Sequence, residues 1–83
     1  MKAQRRKVLL TLLREARLEA GLRPTDVAAK LGKPQSFVSN YESGERRLDL
    51  LELHALCEVL GISVVDFVKK FQRGLTASER QHV

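Results

Sequence analysis

Hydrophobic residues recur at helical spacing from Val8 onward, and glycines interrupt the pattern at regular intervals. Leu9, Leu12, Leu13, Ala16 and Ala20 repeat every three or four residues, the signature of one buried helical stripe, so a first helix is expected over Val8–Ala20 with Gly21 ending it. Leu10 and Leu18 fall off that stripe. A second helix starts at Arg23-Pro24-Thr25-Asp26, with proline at an N-terminal position and Asp26 beside the positive helix end. Val27, Ala28 and Leu31 form its inward face before Gly32. Asp49 with Glu52 reads as a capping box for a fourth helix, whose core stripe is Leu50, Leu53, Leu56, Cys57 and Leu60. Ser63 with Asp66 repeats the box for a fifth helix with Val64, Phe67, Val68 and Phe71 as its apolar positions. No strand pattern longer than a few residues and no internal repeat interrupts the series, so the expected class is all-α, a compact five-helix bundle.

The third element, between Pro34 and Gly44, is different in kind. Proline presets φ at a helix start, and glycine permits the left-handed turn at its end. Val38 and Tyr41, with Phe37 beside them, make a thin apolar face, while Gln35, Ser36, Ser39 and Asn40 fall on the other side. A helix of about two turns does not stand alone in water and is expected to lean on its neighbours. Its polar face carries amides and hydroxyls instead of the Lys/Glu pairs of an ordinary solvated surface. Such groups both donate and accept hydrogen bonds, which is what reading base edges demands. Only Gly32, Lys33 and Pro34 separate this helix from the second, the spacing of a helix-turn-helix unit.

Charge sharpens that picture. The 83 residues carry a net charge of +5, and residues 1–23 alone hold seven Lys/Arg against two Glu. The last third, residues 48–83, has four against five. A basic excess placed this way is a footprint for a polyanion partner, though basic tails also occur simply for solubility. Residues 1–7 read as a basic arm preceding the first helix, either frayed or touching phosphates, and residues 74–83 read as a frayed polar tail. The whole of 1–83 is taken as a single domain.

Candidate chemistry beyond this is thin. A single cysteine allows no internal disulfide and no zinc set, and Val8–Leu13 is too short for a signal or a membrane span, so a cytoplasmic protein without membrane contact is expected. His54 and Cys57 share a helical face, but no third ligand or orienting group accompanies them; no metal, cofactor or catalytic residues are assigned, and the protein is not expected to be an enzyme. Tyr41 is assigned to the core through its spacing from Val38, and Lys69 and Lys70 to the solvated face.

The chain resembles the helix-turn-helix regulators of the phage repressor and Cro type, the XRE family. The resemblance is carried by Leu13-Arg14, Arg17 and Gly21-Leu22, then by Val27-Ala28-x-x-Leu31-Gly32. It continues through Gln35-Ser36-x-Val38-Ser39-x-Tyr41-Glu42-x-Gly44-Glu45-Arg46 and Leu50-x-x-Leu53-x-x-Leu56-x-x-x-Leu60-Gly61. It implies a lambda-repressor-like DNA-binding domain with the third helix in the major groove of double-stranded DNA. Carried over, Gln35, Ser36, Ser39 and Asn40 are the base-reading positions, and Ser43, Arg46 and Arg47 the phosphate-binding loop. Arg17 and Glu42 match a structural salt bridge. Arg23 stands where the family often has a hydroxyl residue and can serve as a phosphate-binding point charge, as can Lys33. The implied role is a small transcriptional regulator, a repressor or one of the antitoxin or restriction-controller variants of this fold, with no small-molecule effector evident. A homodimer is expected, with Val68, Phe71 and Leu75, or Leu10, as candidates for its seam. The alternative is a protein-interaction module that keeps the fold without DNA.

Overall fold

The computed structural model describes residues 2–80. These form α1 (Lys2–Glu19), α2 (Pro24–Leu31), α3 (Gln35–Ser43), α4 (Leu50–Leu60) and α5 (Val64–Arg80), with no strand among the described residues. The all-α five-helix bundle expected from periodicity is the fold observed. Helix α2 packs on α3 and α4, while α1 packs on α3 and α5. One core joins all five helices: Leu13 of α1, Val27 and Ala28 of α2, Val38 and Tyr41 of α3, Leu56, Cys57 and Leu60 of α4, and Phe67 of α5. Ala28 is small where α2 meets its neighbours, and Cys57 lies fully inside among leucines, its thiol pushed up by burial.

The caps follow the side-chain chemistry. Asp49 accepts the Glu52 backbone N–H at 2.7 Å, and Glu52 accepts the Asp49 N–H at 2.9 Å, so α4 has a complete capping box. At α5 the Ser63 hydroxyl accepts the Asp66 N–H at 3.3 Å. At α2 only half a box forms: the Asp26 carboxylate takes the Arg23 N–H at 2.8 Å, whereas a guanidinium has no acceptor to return.

Both ends of the chain depart from the sequence expectation. Helix α1 begins at Lys2, not Val8, so residues 2–7 extend the helix instead of forming an arm; Met1 lies outside the described residues. Helix α5 runs to Arg80 through the segment expected to be a frayed tail from Gly74, and residues 81–83 lie outside the described residues. The two corrections have one physical cause. The second half of α5 lies against the first half of α1, and Gly74 sits at the crossing, where an added Cβ would come within 2.8 Å of Val8 Cγ1. Gly74 is thus a contact residue that lets two backbones approach, rather than a stop signal.

Other departures concern the rims of the stripes. Ala20 lies beyond α1 and is exposed. Leu50, assigned to the core stripe of α4, is 71% exposed because it occupies the first helical position with nothing packed over it; Leu51 beside it is also exposed. Val68 of α5 is likewise exposed, one residue along from the buried Phe67.

Candidate nucleic-acid interface

Helix α3 starts without a side-chain cap. Pro34 occupies the N-cap at φ −64° and ψ 154°, so its ring presets the entry angle, and Gln35 becomes the first helical residue. The helix ends at Gly44, whose φ of 86° lies in the left-handed region that a Cβ disfavours. The Asn40 carbonyl is the hub of that stop: it accepts the N–H of Glu45 at 2.9 Å and of Arg46 at 3.1 Å, and the Ser43 hydroxyl donates to it at 3.1 Å. These bonds fold the Glu45–Arg47 loop back along the end of α3.

Inward, Val38 and Tyr41 are buried completely, and burial pushes the Tyr41 phenol far above its ordinary value. Outward, Gln35, Ser36, Ser39 and Asn40 occupy positions i, i+1, i+4 and i+5, an arc of about 140° at 3.6 residues per turn. Gln35, Ser36 and Ser39 are exposed and Asn40 is half-buried. Among the described residues, no hydrogen bond engages any of these four side chains. Two turns of helix therefore present amide and hydroxyl groups whose hydrogen-bonding capacity is left to the outside.

A largely buried ion pair ties α3 to α1. Arg17 of α1, 7% exposed, donates from Nε to Glu42 Oε2 at 2.7 Å and from Nη2 to Glu42 Oε1 at 3.1 Å; its Nη1 donates to the Leu22 carbonyl at 2.9 Å. One guanidinium thus ties α1, the α1–α2 turn and the end of α3 together in a two-pronged geometry. The Glu42 hydrogen bond raises the Arg17 pKa despite the opposing effect of burial.

The positive charges divide into those with a carboxylate partner and those without. Arg46 is held by Glu52, at 3.1 Å from Nη1 to Oε1 and 2.7 Å from Nη2 to Oε2, and lies 4.5 Å over the Phe37 ring. Its Nη1 also donates to the Arg47 carbonyl at 3.0 Å. The Arg46 guanidinium, with the Asp49 N–H, holds the Glu52 carboxyl down at about 2. Phe37 is the platform of this corner, edge-on to Tyr41 at 5.7 Å and with Lys33 Nζ 5.7 Å from its centroid. Arg23 pairs with Asp26 through Nε at 3.2 Å and Nη2 at 3.3 Å, an exposed contact of little strength that leaves the guanidinium free to turn. Arg47 is exposed, and neither it nor Lys33 has a carboxylate within ion-pair distance among the described residues.

The structure therefore gathers Lys33, the four polar residues of α3, Ser43, Arg46 and Arg47 on and around one short helix, and sets Arg23 at the start of α2. Sequence reasoning missed the second role of Glu52, which clamps Arg46 as well as capping α4; a six-residue separation across a loop has no periodic signature. It also missed that α1 reaches this corner. A Cβ on Gly44 would lie 3.3 Å from Leu10 Cδ1 and 3.7 Å from Arg6 Nε. Elsewhere, His54 is exposed and paired with Glu58 at 3.5 Å, and the described residues contain no cluster of three His, Cys, Asp or Glu side chains able to hold a metal. No helix among them is long and apolar enough to cross a membrane.

Comparison with known proteins places this geometry. The family profile described as Helix-turn-helix matches residues 13–67, from the second part of α1 through α2, α3 and α4 to the first turn of α5. An uncharacterized HTH-type transcriptional regulator, y4dJ of Sinorhizobium fredii, is 33% identical over 63 residues, covering 76% of this chain and 82% of its own. Among solved structures, an XRE-family like protein from Pseudomonas syringae pv. tomato superposes with a TM-score of 0.80 at 43% identity, over 83% of this chain and 84% of that one. The clp gene regulator ClgR from Corynebacterium glutamicum superposes with a TM-score of 0.81 over 94% and 83%; at 23% identity it speaks for the fold alone.

Proposed function

Because the chain belongs to the XRE-type helix-turn-helix family of transcriptional regulators, we propose that it binds double-stranded DNA sequence-specifically and acts as a small cytoplasmic repressor. Helix α3 enters the major groove, with Gln35, Ser36, Ser39 and Asn40 against base edges. The single observation that carries this reading is the outward arc of unengaged amides and hydroxyls on a helix too short to be there for its own stability. A glutamine amide pairs two-pronged with adenine, and the hydroxyls add shorter-range bonds. Arg47, Lys33 and Arg23 neutralise phosphates, with Ser43 at the end of α3 beside the Arg47 loop; these contacts supply affinity and register without a sequence code. Arg46 contributes through a charge that Glu52 partly cancels, so its first task is to fix the loop over Phe37. An apolar or acidic face at these positions would favour a protein-interaction module on the same fold; a hydrogen-bonding arc flanked by positive charge favours DNA.

One helix of this length covers only a few base pairs, too few for selectivity in a genome. The functional unit is therefore a homodimer reading two half-sites about 34 Å apart along the duplex. The exposed apolar residues of α4 and α5, Leu50, Leu51, Val65 and Val68, supply surface for a second copy. Phe71, Leu75 and Leu10 are half-buried within the protomer and less available.

Selection of binding sites from random duplexes tests the reading. It is expected to enrich an inverted repeat whose half-site centres lie about 10 base pairs apart, one turn of B-DNA. Recovery of pools with no common sequence would remove the specific-binding claim.

A further inference from the structure

A groove of about 410 Å3 opens between the first turns of α1, the loop after α3, and α5. Arg5, Arg6, Arg46 and Arg47 line it together with apolar residues, Leu10 and Phe71 among them. Two features of the fold make the groove a fixed site. The turn bearing Arg5 and Arg6 belongs to a continuous helix that is pressed against α5 at the Val8–Gly74 crossing. Arg6 also lies beside Gly44, so it stands at the end of α3 itself.

Two of the groove's arginines, Arg6 and Arg47, differ in charge pairing from the paired arginines of the interface. Arg17, Arg23 and Arg46 each face a carboxylate. Among the described residues, no carboxylate lies within ion-pair distance of Arg6 or Arg47. Arg6 and Arg47 line the same groove, and like charges gathered there without a counter-charge favour an anion. The apolar residues that share the lining lower the local dielectric, which strengthens a guanidinium–phosphate bond formed there.

We infer that this groove is a second phosphate clamp, in which Arg6 acts with Arg47 to hold the DNA backbone flanking the base pairs read by α3. The inference rests on the DNA-binding reading above and adds α1 to the interface. Phosphate contacts carry no sequence code, so the clamp adds affinity and fixes register without altering preference.

Fluorescence anisotropy of the full chain on a labelled random-sequence duplex of roughly 30 base pairs, about three helical turns, measures the clamp across a series of salt concentrations. Each phosphate contact contributes about 0.9 to the slope of log affinity against log salt. Arg6→Ala and Arg47→Ala are each expected to reduce the slope by that amount, and the double variant by about 1.8. At 0.1 M salt each single variant then binds about eightfold more weakly relative to its own affinity at 1 M than the parent does. Arg6→Lys is expected to restore the slope, and circular-dichroism melting is expected to be unchanged. A wild-type slope in Arg6→Ala, alongside a reduced one in Arg47→Ala, overturns the clamp and leaves the DNA-binding reading standing; Arg6 then serves only the end of α3. An equal loss of affinity at every salt concentration also overturns it, as that marks a structural effect. Unchanged slopes in all variants overturn the clamp and take Arg47 out of the phosphate contacts as well. Failure of the parent chain to bind any duplex removes the DNA-binding reading, and the clamp with it.

Discussion

At the scale of single residues, the candidate interface is a division between side chains that are spoken for and side chains that are not. The side chains of Gln35, Ser36, Ser39 and Asn40 make no hydrogen bonds within the described protein, whereas Glu42 and Glu52 are each occupied by an arginine. Glu52 carries a measurable consequence. Its carboxyl, ordinarily near 4.5, is held at about 2 by the Arg46 guanidinium and the Asp49 N–H. A depressed folded-state value means that the charged form favours folding. The stabilisation is complete above about pH 4.5 and is lost as pH falls through 2. Glu52→Gln should therefore lower Tm at neutral pH, and the gap from the parent should narrow on going to pH 3 and below. A gap of constant size across that range would show that the ion pair contributes nothing that titrates. The residue roles were only partly legible in the sequence. The four polar side chains of α3 stood out because their chemistry is unusual for a helical surface. The Arg46–Glu52 clamp did not, because it spans a loop whose path no periodicity encodes.

At the scale of helices, the sequence marked the middle of the molecule well and its ends poorly. The stripes of α2 and α3, the turn Gly32–Pro34, and the capping box at Asp49 and Glu52 are local patterns, and local patterns survive into the structure. The pairing of α1 with the far half of α5 is not local. Residues 2–7 are polar and basic, and residues 74–80 are polar with a glycine, so each segment alone looks unable to hold a helix. Each is helical in the bundle. Gly74 decides the distance between them. Alanine there gains about 1 kcal/mol of helix propensity. Against that, its Cβ would sit 2.8 Å from Val8 Cγ1, a methyl on a β-branched side chain that has little freedom to move away. Overpacking of this kind costs about 1–3 kcal/mol, so the clash outweighs the propensity. Gly74→Ala is expected to lower Tm by several degrees, a shift of about 4–8 °C for each kcal/mol in a domain of this size. Combining it with Val8→Ala should recover at least roughly 0.5 kcal/mol relative to the sum of the two single changes. Strict additivity, or a stabilising Gly74→Ala, would show that the helices have room to spare.

At the scale of the whole molecule, the bundle is a mount for one exposed arc. The core fastens α3 by Val38 and Tyr41, the Arg17–Glu42 bridge ties it to α1, and Gly44 with the Asn40 carbonyl turns the chain into a basic loop. The positive excess of residues 1–23, visible in the sequence as a number, becomes a position once α1 is seen to run past the end of α3. The proposed function separates two jobs, assigning the arc to bases and the surrounding cations to the backbone. The separation is tested most directly by titrating wild type and Gln35→Ala against the selected duplex and a random duplex, each at two salt concentrations. If the arc reads sequence, Gln35→Ala lowers the ratio of specific to random affinity by about 1–3 kcal/mol and leaves the salt slope on random DNA unchanged. If it weakens both duplexes by the same factor, the exposed face of α3 is not the reader.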